Sequence, residues 1–286
     1  MAIGGEVDYA YLRGIVLAHS HNVIDTATDY LFHSRLVRLL RNQGMSCLGE
    51  LVHYLRLNRN PELERAVAEA MTINETSFFR DPRLFELLRT ELLPEMVERR
   101  RSVRALRIWS AACSTGQEAL SVAILLREHF AHIAHWDVAI EGTDISSEVI
   151  QRARAGRYHR IEVNRGLPVR FLVKYFENDG EDWVARNDLH AVCHFRQANL
   201  CKTPLPWTSR FDVILLRNVM LYLSPETRRT LLESLHGAIA SDGILLLGSS
   251  EQASDSPLWA PVLAGGACYY RPVAKRAGSR QRAKCN

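Results

Sequence analysis

The sequence predicts an α/β fold with a mainly parallel sheet, preceded by a domain made of helices alone. Two observations carry this. From about residue 101 onward, short apolar runs alternate with stretches whose apolar residues recur every three or four positions, the pattern of parallel strands joined by right-handed helical crossovers. Before residue 73 only the helical period is present. The 286-residue chain is 47% apolar and 24% charged, enough for a large globular domain and a smaller one.

Taken in order, Y-A-Y-L-R-G-I-V-L and T-D-Y-L-F-H-S-R-L-V-R-L-L-R are the first two helices, and Gly44 stops the second. Ser46 is placed to cap a third through L-G-E-L-V-H-Y-L-R, and Pro61 suits the first turn of a fourth that ends near Met71. Helices this short do not persist alone, so they should form a bundle. Arg35, Arg38 and Arg41 share one side of the second helix, as a solvated face or a positive surface for an acidic partner. Residues 73–100 then connect the two domains through N-E-T-S-F-F-R-D and the helical stretch F-E-L-L-R-T-E-L-L-P-E-M-V-E.

Between residues 101 and 272 the order is strand, loop and helix in V-R-A-L-R-I-W-S-A-A-C-S-T-G-Q-E. A second strand, W-D-V-A-I-E-G-T-D, follows with its helix, then a third in F-D-V-I-L-L-R-N and a fourth in D-G-I-L-L-L-G-S-S. The alternation lapses between Arg157 and Cys193, where a small antiparallel insertion is expected, and Val192 to Phe195 resembles one more strand.

Ligands of such sheets bind beyond the strands' carboxyl ends, which directs attention to three segments. Ser110 to Glu118 has one glycine, Gly116, and no lysine, so it is neither the dinucleotide fingerprint nor a phosphate-binding loop. Asp144 closes the second strand, and its carboxylate suits a ribose diol or, failing that, a helix cap. Together the loop and the acid favour an adenosine ligand without a pyrophosphate grip. Arg217 and Asn218 close the third strand, where buried polar groups require partners; Tyr222 follows, as a hydroxyl for chemistry or a packed ring.

Other classes are disfavoured. The formal charge of +4 misleads, because the tail from Arg271 holds six Lys/Arg and no acid; subtracting six leaves −2 for the remainder. The body is therefore no nucleic-acid platform. The six cysteines form no C-x-x-C and have no histidine at finger-like spacing, so no metal site is expected and Cys113 reads as packing. Without a secretory signal or a long apolar run, the expected location is cytoplasmic, with no membrane insertion.

N-E-T-S-F-F-R-D, W-S-A-A-C-S-T-G-Q-E, G-T-D-I-S, F-R-Q-A-N-L and L-L-R-N-V-M-L-Y, in that order and spacing, resemble the chemotaxis receptor glutamate O-methyltransferase family, over nearly all the chain up to about Pro272. The resemblance implies an adenosylmethionine-dependent methyltransferase fold with a small antiparallel subdomain (about 157–195), after a helical domain over residues 1–72. It implies S-adenosyl-L-methionine as cofactor, S-adenosyl-L-homocysteine as product, and glutamates on the cytoplasmic helices of chemoreceptors as substrate. Cofactor contacts carry over to Asn74, Thr76, Arg80, Glu118, Asp144, Asn199, Leu200, Arg217 and Asn218, and residues around methyl transfer to Arg80 and Tyr222.

In N-E-T-S-F-F-R-D, Asn74 and Thr76 are expected to serve as cap and turn residues, and Phe78 and Phe79 to anchor the segment that presents Arg80. Four features depart from the family, the first being a second helix less basic than in some relatives, with Val37 and Leu39 between its arginines. Gln117 stands where many relatives have an acid and reads as exposed. F-E-N-D-G-E-D-W lacks the Gly- and Arg-rich loop of relatives that dock a receptor's carboxyl-terminal pentapeptide, so no such tether is expected. The basic tail, 273–286, lies outside the resemblance. Two rivals remain: an adenosylmethionine enzyme acting on another protein or a small acid, and a cofactor-binding signalling module without catalysis.

Overall fold

The computed structural model describes residues 7–274 apart from positions 206 and 255. The basic tail beyond residue 274 lies outside the described residues.

The apolar stripes of the first four helices close on one another: α1 (Tyr9–Ser20), α2 (Tyr30–Asn42), α3 (Leu48–Leu57) and α4 (Pro61–Ala70). Leu12, Val16, Phe32, Leu36, Leu51 and Val67 meet in their core, each from the helix face that the spacing of three and four selects. Asp8 and Asn60 cap α1 and α4 by accepting the amides of Tyr11 and Leu63. The third cap differs from expectation. Cys47 occupies the N-cap without a side-chain bond, while Ser46 donates its amide and hydroxyl to Glu50. The arginine side of α2 is also partly turned inward. Arg35 donates 2.7 Å to the Met71 carbonyl at the end of α4, and Arg38 pairs with Glu148 of the sheet domain.

Asn74 and Thr76 cap no helix. They lie in an irregular segment, and the next helix starts only at Pro82, behind an N-cap Asp81 that makes no side-chain bond. The segment is held by its phenyl rings instead. Phe78 is fully buried, edge-on to Tyr158 at 5.2 Å and to Phe176 at 5.6 Å, and Phe79 packs on Phe85 and Phe171. Gly166 makes this possible: a Cβ there would lie 2.1 Å from the Phe78 carbonyl oxygen. Helix α5 (Pro82–Leu87) runs through a π turn (Leu88–Leu92) into α6 (Leu93–Arg99). The widened turn directly precedes Pro94, whose ring clashes with the carbonyl four residues back in a regular helix.

The sheet domain then follows as β1 (Ala105–Ala111), α7 (Gln117–His129), β2 (Asp137–Asp144) and α8 (Ser147–Ala155). The antiparallel insertion is a three-stranded sheet with short helices: β3 (Arg157–His159), α9 (Arg160–Val163), α10 (Val169–Tyr175), β4 (Phe176–Asp179), β5 (Asp182–Ala185) and α11 (Asn187–His190). The main sheet resumes with β6 (Cys193–Gln197), β7 (Phe211–Leu216), α12 (Pro225–Ala238) and β8 (Ile239–Leu247), and ends in the hairpin β9 (Trp259–Ala264) and β10 (Ala267–Pro272). The sequence reading did not include this hairpin, although Gly265-Gly266 between two runs is a hairpin signal.

The seven strands lie in the order β6-β2-β1-β7-β8-β10-β9. The first five are parallel, and β10 pairs antiparallel with β8 and β9. Strand residues alternate between two cores: Ile108, Val213 and Ile244 pack on one face, Trp109, Ile214 and Leu245 on the other, as the period of two requires when both faces are covered. The chain passes outward from β1 through β2 to β6 and returns at β7, so the order reverses between β1 and β7. A crevice opens there, at the strands' carboxyl ends.

Candidate functional site

Two adjoining chambers occupy that crevice. Ile73, Ala112, Asp144, Asn218 and Val219 line both and form the waist between them. One chamber is mostly apolar, lined by Ile145, Leu200, Leu223 and Leu231 together with Asn199 and Tyr222. The other is charged, lined by Thr76, Arg80, Glu118 and Arg217. All the predicted site residues therefore line this one crevice, but Arg80 and Tyr222 belong to different chambers.

The loop after β1 turns because Ala112 and Ser114 take left-handed backbone angles, φ 62° and 50°. Phe79, Asp81 and Asn218 do the same, at 48°, 68° and 58°. Conformations that cost about 1–3 kcal/mol each are retained only where the surroundings impose them, and these flank Arg80 and border the crevice. The restraints are visible. Ser114 donates its hydroxyl to the Asn74 carbonyl (2.7 Å), and the Phe79 amide donates to the Ser121 hydroxyl (3.0 Å).

Asp144 is buried, and each carboxylate oxygen accepts a backbone amide, from Ser114 at 2.9 Å and Ser146 at 3.0 Å. Burial pushes its pKa up, and these amides oppose the rise. Two amides leave acceptor capacity on a carboxylate with about four lone-pair sites, and it stands at the waist.

In the charged chamber Arg217 and Glu118 form a buried ion pair at 2.9 Å. Glu118 also accepts from the Ser110 hydroxyl, and Arg217 donates 2.6 Å to the Arg80 carbonyl. The Nε of Arg217 is buried and has no hydrogen-bond partner among the described residues. A buried guanidinium N–H in that state calls for an acceptor that the chain does not supply. The Arg80 side chain donates to the Glu75 carbonyl at 2.9 Å.

Gln117, read as exposed, is buried and accepts from the Thr115 hydroxyl at 2.8 Å. The linker meets α7 one turn further on, where the Phe79 amide reaches Ser121, an approach with no local sequence signal. Cys113 is buried in the core, and burial, reinforced by Asp144 and Glu118, pushes its thiol well above the usual range, the opposite of an activated nucleophile.

The sequence reading missed the part that the helical bundle plays. Ser20, the last residue of α1, and Asn22, just beyond it, line the apolar chamber. Asn199 donates 2.8 Å to the His19 carbonyl, and the Val23 amide donates 2.8 Å to the carbonyl of Tyr222. No motif marks Ser20 or Asn22, because only the folded chain brings them there.

Residues 74–266 match the family described as CheR methyltransferase, SAM binding domain. Chemotaxis protein methyltransferase 1 of Pseudomonas aeruginosa is 36% identical over 239 residues, 82% of this chain and 86% of that protein. Chemotaxis protein methyltransferase Cher2 of Pseudomonas putida is 31% identical over 257 residues, 88% of this chain and 93% of the other. A chemotaxis protein methyltransferase of Vibrio parahaemolyticus is 34% identical over 232 residues, covering 80% and 83%.

Proposed function

Because this chain belongs to the CheR methyltransferase family, we propose that it transfers a methyl group from S-adenosyl-L-methionine to glutamate side chains on the cytoplasmic helices of chemoreceptors. The observation that carries this reading is the two-chambered crevice with Asp144 at its waist and the unpartnered Nε of Arg217 in its charged end. It suits a ligand with an apolar base, a diol and a zwitterionic tail.

Asn199 and Leu200 would flank the adenine, and Asp144 would accept from the ribose hydroxyls. Glu118 would meet the ammonium group of the amino-acid end, and Arg217, with Arg80, its carboxylate. Asn74 and Thr76 would close the crevice from the linker, and Asn218 from the end of β7. When bound, the cofactor supplies a sulfonium-activated methyl group.

A glutamate substrate, with a reference pKa of about 4.3, is already anionic at neutral pH. Neither a nucleophilic cysteine nor a strong base is then needed from the chain, and its task is alignment. Arg80 would orient the incoming carboxylate, with its backbone fixed between Phe79 and Asp81 and its guanidinium near the surface. Too tight an ion pair there would stabilise the attacking anion in the ground state and slow the reaction. Tyr222, which lines the other chamber, would act on alignment from that side.

The β4–β5 hairpin carries F-E-N-D-G-E-D-W and no Gly- and Arg-rich loop. Docking would therefore rest on the body of the protein without a pentapeptide tether. No helix among the described residues is long and apolar enough to cross a membrane, which agrees with action on receptor domains in the cytoplasm.

The test is methyl transfer from labelled adenosylmethionine to receptor cytoplasmic fragments, scored as base-labile methyl esters. Wild-type protein should label glutamates. Arg80→Ala should keep cofactor affinity within a factor of about ten, because Arg217 remains, while its turnover falls by about ten- to a hundred-fold. Unchanged turnover would remove Arg80 from the chemistry. Cofactor binding without label on any fragment would redirect the search to another acceptor.

A further inference from the structure

The crevice depends on a carboxylate that does not face it. Strands β7 and β8 are parallel neighbours, so the turns leaving their carboxyl ends lie side by side. Glu251, in the turn after β8, directs its carboxylate into the turn after β7. Oε2 accepts the backbone amides of Asn218 (2.6 Å) and Gly248 (2.8 Å), and Oε1 accepts those of Val219 and Met220 (both 2.7 Å). The residue is buried and lines neither chamber. Gly248 permits the approach, since a Cβ there would lie 2.6 Å from Oε2 of Glu251 and 2.9 Å from Nδ2 of Asn218.

The segment gathered in this way carries Arg217, Asn218, Val219 and Tyr222, all of which line the crevice. Asn218 has left-handed backbone angles and requires a restraint from outside its own turn. Charge-assisted bonds from four amides are such a restraint.

We infer that Glu251 is a positioning residue: it fixes the turn after β7 in the shape that receives the cofactor, without touching the cofactor. This rests on the reading of the crevice as the adenosylmethionine site. A carboxylate that served the fold alone would lower stability when altered and leave the folded protein's affinity intact. The turn it holds supplies the waist of the crevice, so its displacement changes binding in molecules that are still folded.

The experiment is calorimetric titration of the full-length protein with S-adenosyl-L-homocysteine, paired with thermal unfolding. Glu251→Gln keeps the shape, but its amide nitrogen cannot accept, so two of the four amides lose their partner. At temperatures where the variant is fully folded, its affinity should fall by about ten-fold or more, because buried donors without an acceptor favour another turn geometry. Gly248→Ala intrudes on the same carboxylate from the other side and should lower affinity in the same direction. The double variant should lose less than the product of the two effects, since both act on one turn.

Folded variants that bind within about two-fold of wild type, with only a lower melting temperature, would overturn the inference, since a purely structural anchor acts on the folding equilibrium and not on binding. If Glu251→Gln does not fold, Gly248→Ala decides by the same readouts; if neither folds, the inference is overturned and the anchor belongs to the fold. Failure of the wild-type protein to bind S-adenosyl-L-homocysteine would instead sink the reading of the crevice.

Discussion

The two ends of the main sheet each hold an arginine among carboxylates, and they differ in how completely it is satisfied. Toward the strands' amino ends, Arg100 donates Nε to Asp212 (2.6 Å) and both terminal nitrogens to Asp242 (2.8 and 2.6 Å). Asp212 also accepts the Arg107 amide at 2.7 Å. At the carboxyl ends, Arg217 has Glu118 and the Arg80 carbonyl, and its Nε is left over. The first cluster ties β7, β8 and the end of α6 together. The second is more deeply buried but chemically incomplete. An unused donor inside a protein calls for an acceptor such as a water or a ligand, and this one belongs to a residue that lines the crevice.

The largest effect expected from breaking this contrast is at the saturated end. Arg100→Met removes the main partner of two carboxylates, leaving the well-buried Asp212 with only the Arg107 amide and Asp242 with the longer contact to Arg99 at 3.5 Å, and should cost about 3–5 kcal/mol in denaturant unfolding. Cofactor affinity of the folded fraction should not change, and a large loss of binding would mean that the two ends are coupled. Arg217→Met strands Glu118 and should cost about 3 kcal/mol of stability. It should differ from Arg100→Met in also weakening S-adenosyl-L-homocysteine binding, by about ten- to a hundred-fold, as measured by calorimetry.

Acid separates the ends more gently. Hydrogen bonding from Arg100 holds the Asp242 carboxyl down at about 2, against an ordinary 3.8. A depressed pKa contributes stability that is complete above the unfolded-state value and lost as pH falls through the folded one. Stability should therefore decline between about pH 4 and pH 2, and Asp242→Asn should flatten that part of a pH-dependent unfolding series. The smallest effect is expected at the exposed Arg38–Glu148 pair between the bundle and α8. Glu148→Gln should change unfolding free energy by less than about 0.5 kcal/mol.

The legible parts of the molecule were those set by near neighbours in the chain. The four amino-terminal helices follow from their own apolar spacing. The parallel strands follow from apolar runs, and Asp144, Arg217 and Asn218 were found because each stands where its strand ends. Errors came where another contact, near or remote, overrode the preference of a single residue type. Ser46 and Asn74 are good caps by residue type, yet Ser46 bonds to Glu50, and the carbonyl of Asn74 is held by Ser114. Arg38 belonged to an apparently free basic face until Glu148, 110 positions away, met it. Gln117 was read as exposed because nothing near it in sequence announces its burial.

The sequence by itself determined the α/β class, the helical domain before it and the family, because periodicity and motif order are properties of the chain as written. Tertiary structure alone decided how the crevice is completed. It set Ser20 and Asn22 beside residues near 199 and 222, divided Arg80 from Tyr222 between two chambers, and brought Glu251 under the turn after β7. Each of these joins segments far apart in the chain, and a single amide or carboxylate carries no record of the partner that burial will force upon it.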